Sequence, residues 1–146
     1  MIIRPLTPED GPGVAALSGD LGYPTSPEEM AGRIAAVLGE PGHALFAAEG
    51  EDGTLIGWAH VCARLLLIDT PSAFVEGLVV DPAARRRGVG RALMAVAEAW
   101  AGERGLLVAR LRSGATRDDA HAFYRALGYH DGKAALGFEK SLDPGR

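Results

Sequence analysis

The sequence predicts one α/β domain over residues 1–146, a mixed sheet of about seven strands with about four helices. Three observations lead there. Residues 44–80 read as three apolar strands joined by short polar turns, which implies antiparallel neighbours. Apolar residues recur at helical spacing on both sides of that block. Between the last two helical segments lies an apolar strand, residues 106–111, suited to a sheet centre. A chain of 146 residues, 47% hydrophobic, can bury roughly two-thirds of its unfolded surface around one core.

In order, residues 1–5 form a short opening strand, and Thr7-Pro8-Glu9-Asp10 has the composition of a helix start. A first helix follows, its beginning blurred by Gly11, Pro12 and Gly13. A loop over 19–25 leads to Ser26-Pro27-Glu28-Glu29, where a cap, a proline at the first helical position and two acids suit the positive end of a helix dipole. Met30, Ile34, Val37 and Leu38 keep helical spacing until Gly39 and Pro41. Residues 44–48, 55–64 and 74–80 are the next three strands, with turns at Gly50-Glu51-Asp52-Gly53 and Asp69-Thr70-Pro71-Ser72. Val89, Ala92, Leu93, Val96 and Trp100 share one face of a third helix that stops near Gly102 and Gly105. A fourth helix runs over 117–127, with Ala120, Phe123 and Leu127 inward and Gly128 as its cap. Tyr129-His130 and residues 134–142 supply the closing strands.

The longest uninterrupted apolar run, Leu65-Leu66-Leu67-Ile68, is far short of the roughly 20 residues of a membrane helix. The N-terminus lacks the features of a signal peptide, and the one cysteine, Cys62, cannot form an internal disulfide. These features predict a cytoplasmic protein without a membrane partner. A net charge of −4 argues against a nucleic-acid binder. Yet four of the 15 basic residues fall between Arg85 and Arg91, which suits a small polyanion bound at one place. A solvated charged loop is the plain alternative.

That basic segment, Val79-Val80-Asp81-Pro82-Ala83-Ala84-Arg85-Arg86-Arg87-Gly88-Val89-Gly90-Arg91, passes from an apolar strand into an amphipathic helix. The first turn of a helix has N–H groups without intrahelical acceptors, and its dipole is positive there. Glycines let phosphate oxygens approach those donors, and arginines add charged hydrogen bonds. A pyrophosphate is the expected ligand. The nucleoside-triphosphate loop requires a lysine that is missing here, and Leu93 stands where the dinucleotide fingerprint has its third glycine.

The segment resembles the coenzyme A loop of the GNAT superfamily of N-acetyltransferases, [QR]-x-x-G-x-[GA], with Arg85, Gly88 and Gly90 at the matching places. The hydrophobic-Val-Asp-Pro strand ending before it is also similar. So are Ala120-His121-Ala122-Phe123-Tyr124-Arg125-Ala126-Leu127-Gly128-Tyr129 and the ending Gly137-Phe138-Glu139-Lys140-Ser141-Leu142. The likeness covers nearly the whole chain and implies a sheet whose fourth and fifth strands splay around acetyl-CoA. It implies backbone contacts from Leu78 and Val80 to the pantetheine arm. Residues Arg85, Arg86, Arg87, Gly88, Val89, Gly90 and Arg91 would form the pyrophosphate loop. Where the family often has a cofactor-binding asparagine this chain has Arg117, which could reach a phosphate instead.

The reaction implied is attack of a neutral amine on a thioester. An alkyl thiolate leaves with a pKa of about 8.5, so a nearby acid helps. By resemblance Tyr124 is that acid, its plain alternative being a tyrosine packed beside Phe123. Glu76 is the candidate for binding or deprotonating the amine, on the side of Leu78 and Val80 by simple alternation unless a bulge intervenes. A cross-strand partner is the alternative. His60 reads as a packed strand histidine, His121 as an outer-face residue, and Cys62 as a small buried hydrophobe. His43 and His130 lie near strand or loop ends without a ligand cluster, so no metal site is expected.

The function expected is transfer of acetyl from acetyl-CoA to a primary amine of a small molecule. A non-catalytic acyl-CoA sensor, or acetylation of a protein lysine or N-terminus, remain as alternatives. Asp20, Tyr23 and Glu76 would suit a cationic acceptor near the 19–25 loop. Many members of the superfamily are homodimers, so a second copy is among the partners the resemblance implies.

Overall fold

The computed structural model describes residues 1–20, 22–113 and 118–145, which divide into two compact units, Met1–Arg112 and Ser113–Arg146. The first unit contains β1 (Ile2–Pro5), α1 (Gly11–Gly19), α2 (Pro27–Leu38), β2 (His43–Glu49), β3 (Leu55–Arg64), β4 (Ser72–Val80), α3 (Val89–Glu103) and β5 (Val108–Leu111). Short 3₁₀ turns precede α1, at Pro8–Asp10, and α3, at Pro82–Ala84. The second unit contains α4 (Asp118–Ala126).

The sheet runs β1-β2-β3-β4-β5, antiparallel through β4, with β5 added parallel. Short turns allow only antiparallel neighbours, whereas the crossover through α3 permits the parallel pair. Alternating side chains send two apolar layers to opposite faces. Leu6, Val14, Ile34, Leu45 and Ala47, with Trp58 against them, fill one layer under α1 and α2. Ala48, Ala59, Val89 and Leu93, with Phe46, Leu78 and Val80 against them, fill the other under α3.

Local chemistry accounts for the helices. Ser26 Oγ accepts from the Glu29 amide at 3.1 Å, and Pro27 opens α2, which buries Ile34. Along α3, Val89, Leu93, Met94, Ala97 and Ala101 are buried on one face. Removing Leu93 and Met94 from water contributes about 1.5–3 kcal/mol each. At α1 the blurred start is resolved by tertiary packing. A Cβ on Gly11 would lie 2.8 Å from the Pro27 carbonyl oxygen, so only glycine lets the two helices approach so closely. Thr7, Asp10 and Arg4 brace that corner. Asp10 Oδ2 accepts from the Thr7 amide at 2.9 Å, and both Asp10 oxygens accept from Arg4 at 2.8 Å.

The sheet has five strands rather than seven. The expected closing strands at Tyr129-His130 and over 134–142 are not formed among the described residues. Leu136, Phe138 and Leu142 keep the pattern of a strand but are exposed. Alternation shows that a segment can be a strand, but a strand forms only where it has a ladder partner. Helix α4 buries no residue completely. Ala120, Phe123 and Leu127 are half-buried as its inner side, and so is His121, expected on the outer face.

Candidate cofactor and acceptor site

The parallel ladder between β4 and β5 covers only Ser72 to Val75 against Val108 to Leu111. Beyond Val75, β4 continues to Val80, paired among the described residues to β3 alone. Leu78 and Val80 lie on that extension, half-buried, with their side chains in the layer under α3. Their backbone is thus part of a strand segment with one ladder among the described residues.

The basic loop follows directly. Asp81 Oδ1 accepts from the Ala83 amide at 3.0 Å, and the Asp81 amide donates to the Ile56 carbonyl at 2.8 Å, fixing the exit from the strand. Arg86 takes a φ of 66°, and Gly88, the residue before α3, takes 78°. A left-handed conformation costs an ordinary residue roughly 1–2 kcal/mol, and among the described residues Arg86 is the only non-glycine that adopts one. Gly88, at the cap position, offers no side chain to the first turn of α3. A Cβ on Gly88 would meet nothing within 4 Å, so the ground before the helix is open. Arg85, Arg86, Arg87 and Arg91 are exposed, and among the described residues none is ion-paired. Val89 is buried and anchors the helix, so only its backbone is available to a ligand. Gly90 lies one residue into the same turn.

The middle of β4 holds the acid. Register passes from His60 opposite Gly77 to Val61 opposite Val75, which leaves Glu76 as the extra residue of a bulge. The bulge turns its side chain away from the Leu78 and Val80 face, correcting simple alternation. Glu76 Oε1 accepts from Arg64 Nη2 at 2.8 Å and from Cys62 Sγ at 3.4 Å. Both bonds fall on Oε1. Arg64 is held in turn over the Phe74 ring, 3.7 Å from its centroid. Burial pushes the Glu76 carboxyl up, but the bonds from Arg64 and Cys62, with the charges of Arg64 and His60, outweigh it and hold the carboxyl below its usual range. The Cys62 thiol, buried and bonded to a carboxylate, is pushed up. It is a small packed group, not a thiolate.

A pair of histidines escaped the sequence reading. His43 Nδ1 and His60 Nε2 are 2.9 Å apart, their rings tilted at 38°. The residues lie on β2 and β3, and only the register, in which His43 faces Cys62 and Leu45 faces His60, brings them together. His60 also lines a cavity of about 190 Å³ with Trp58, Leu45, Leu6, Val14 and α2 residues including Arg33. Burial lowers the His60 pKa, the charge of His43 lowers it further, and Glu76 opposes both.

In the second unit, Tyr124 lies on α4, half-buried, its ring edge-on to Phe123 at 5.1 Å and to Tyr129 at 6.1 Å. The Tyr124 carbonyl accepts from the amides of Leu127 and Tyr129, closing the helix. Arg117 lies outside the described residues. No group of three or more metal-ligating side chains occurs among the described residues. Asp20 and Tyr23 are exposed beside the α1–α2 loop. No helix of the structure is long and apolar enough to cross a membrane.

Residues 14–129 match the family model described as acetyltransferase (GNAT) family. The chain is 31% identical over 146 residues to an aminoglycoside N(6')-acetyltransferase type 1 of Stenotrophomonas maltophilia, covering 97% of this chain and 94% of that protein. A putative acetyltransferase from Agrobacterium tumefaciens superimposes with a TM-score of 0.83 at 28% identity, covering 96% of this chain and all of that one. An aminoglycoside N-acetyltransferase solved in complex with CoA gives a TM-score of 0.83 at 21% identity, covering 95% and 93%. It shares the fold.

Proposed function

This chain belongs to the acetyltransferase (GNAT) family of acetyl-CoA-dependent N-acetyltransferases, and on that premise we propose that it moves acetyl directly onto a primary amine of a small cationic molecule of the aminoglycoside kind. The observation that carries the reading is the make-up of β4. Its outer half outruns β5, it leads to a helix start at Gly88 with four arginines that make no ion pair among the described residues, and its bulge presents an ionised Glu76. The acceptor class is supported by the aminoglycoside acetyltransferase of S. maltophilia, which aligns over nearly its whole length.

Each group then has a part. Arg85, Arg86, Arg87 and Arg91 attract the pyrophosphate of acetyl-CoA, and the backbone N–H groups from Gly88 to Arg91 bind it. The strained φ of Arg86 fits a loop shaped for a ligand rather than for its own stability. Leu78 and Val80 offer backbone to the pantetheine arm, and Arg117 a further phosphate contact. Glu76, kept ionised by Arg64, binds the acceptor ammonium through Oε2. Tyr124 protonates the departing thiolate, a role that rests on its place in the Ala120–Tyr129 motif. A reaction that consumes acetyl-CoA belongs where that thioester is made, in the cytoplasm.

Thiol release from acetyl-CoA, measured with an aminoglycoside, a polyamine and a lysine peptide, tests the reading. We expect turnover with the aminoglycoside at least about tenfold above the peptide in kcat/KM, as cationic recognition worth about 1.4 kcal/mol would give. Preference for the peptide would assign a protein acceptor. Tight binding of acetyl-CoA without turnover on any amine would make the chain a sensor.

A further inference from the structure

An ammonium must lose a proton before its nitrogen can attack, and Glu76 is poorly suited to take it, since its surroundings stabilise the carboxylate. The nearest group of better chemistry is the histidine pair. Residue His60 is opposite Gly77, next to the bulged Glu76, and its side chain shares the sheet face of Cys62 and Glu76. Its Nε2 lies 2.9 Å from His43 Nδ1, a bond that requires one N–H and one lone pair. Such a pair holds one excess proton readily. A second would set two N–H groups against each other and break the bond. His43 heads β2 beside the turn that ends α2, so the pair leads from the bulge toward the strand end.

We propose that the His43–His60 pair receives the proton of the acceptor ammonium and passes it along the sheet to bulk water, while Glu76 only holds the amine. The inference rests on the acetyltransferase reading above. The ammonium N–H bond breaks and, through one solvent molecule, an N–H bond forms at His60 Nδ1. The Nε2 proton of His60 shifts to His43 Nδ1, and the pair carries one positive charge. The amine lone pair forms the C–N bond, the C–S bond breaks, Tyr124 gives its proton to the thiolate, and the nitrogen's second proton restores the Tyr124 hydroxyl. The proton on the pair is the one released to water. His60, kept neutral near pH 7 by burial and by His43, is ready to accept. The charged and titratable groups facing it are His43 from β2, Cys62 and Arg64 along β3, Glu76 from β4 and Arg33 from α2. Because His60 acts through solvent and His43 through His60, both are relay and positioning residues.

The test uses the full chain with saturating acetyl-CoA and the best amine. His60→Gln keeps an amide N–H toward His43 but cannot take up a proton. We expect kcat to fall about 10²-fold, the lower end for a lost general base, with CoA affinity within about twofold. The acid limb of the kcat/KM–pH profile should disappear, and added imidazole should restore part of the rate. His43→Gln preserves an acceptor for His60 and should lower kcat about tenfold. In the unliganded protein the same variant should change the His60 titration, read from its Cε1–H resonance, because the ring that shares its proton is gone. A His60→Gln loss that is uniform at every pH and not rescued by imidazole would make the pair structural and overturn the proposal. So would an unchanged His60 titration in His43→Gln. A wild-type protein that binds acetyl-CoA but acetylates no amine would refute the function reading as well. An active wild type with an equally active His60→Gln variant refutes the relay alone.

Discussion

Gly88 separates the two demands on the proposed cofactor loop, because exchanging Asn for Asp there should move stability and affinity in opposite directions. The residue has a φ of 78°, and a Cβ there meets nothing within 4 Å. Asn and Asp enter this region more readily than other residues, so Gly88→Asn and Gly88→Asp should each cost about 1 kcal/mol of folding free energy. Asp also sets a negative charge at the start of α3, which returns about 0.3–1 kcal/mol through the dipole. Gly88→Asp should therefore be at least as stable as Gly88→Asn.

Affinity should order the other way. A carboxylate about 4 Å from a phosphate charge costs about 1 kcal/mol in bulk water and about 4 kcal/mol at an effective dielectric of 20. For an exposed loop the lower half of that range applies, so Gly88→Asp should bind CoA about 5- to 70-fold more weakly than Gly88→Asn. Calorimetric titration with CoA at two ionic strengths, beside urea unfolding, gives both quantities. The gap between Asp and Asn should narrow at high salt. Equal CoA affinity of the two variants, each folded, would mean that no phosphate charge lies at the α3 N-terminus.

Replacing Arg86 and Arg87 together with Ala should weaken CoA more than a pantetheine fragment lacking phosphates, with the difference shrinking as salt rises; equal losses would indicate a damaged loop. Tyr124→Phe should lower kcat about 10²- to 10⁴-fold with CoA affinity within a few-fold, and a stability loss with normal kcat would make the hydroxyl structural. Asp10→Asn should cost about 1–2 kcal/mol at pH 7 by removing charge-assisted bonds to Arg4. The Arg4 bonds hold the Asp10 carboxyl below its usual value despite burial, so its stabilisation is full above about pH 5 and fades as pH falls through and below about 4. Urea midpoints of wild type and variant should draw together as pH falls below about 4, and a constant gap would refute the assignment.

What the sequence made legible is what short-range chemistry decides. The Ser26 cap with Pro27, the burial of Val89 and Leu93 on α3, and the place of the glycine-basic loop between β4 and α3 are local signals and lie where expected, whereas Ala92, Val96 and Trp100 are only half-buried and Met94, Ala97 and Ala101 complete the inner face. What it hid depends on register. The position of Glu76 turns on one residue of mismatch between β3 and β4, and the contact of His43 with His60 crosses 17 positions on separate strands. The same limit explains the closing strands. Leu136, Phe138 and Leu142 recur at even spacing, but hydrogen bonds to a partner strand, not spacing, make a ladder.

The bulge has a mechanistic consequence that a regular strand would lack. Without it, Glu76 would project to the face of Leu78 and Val80, into the apolar layer packed under α3. A carboxylate there would be desolvated without Arg64 or Cys62 to bind it, and would neutralise rather than hold a cation. With it, on the proposed reading, β4 would offer backbone to the pantetheine arm, a cationic terminus to phosphates and an anionic centre to the amine. Four intervals at about 3.3 Å put Glu76 about 13 Å from the start of the loop. The cofactor's own length, phosphates at one end and thioester at the other, makes such a separation useful. Opposite charges are needed on one strand, far enough apart that neither cancels the other across about one Debye length.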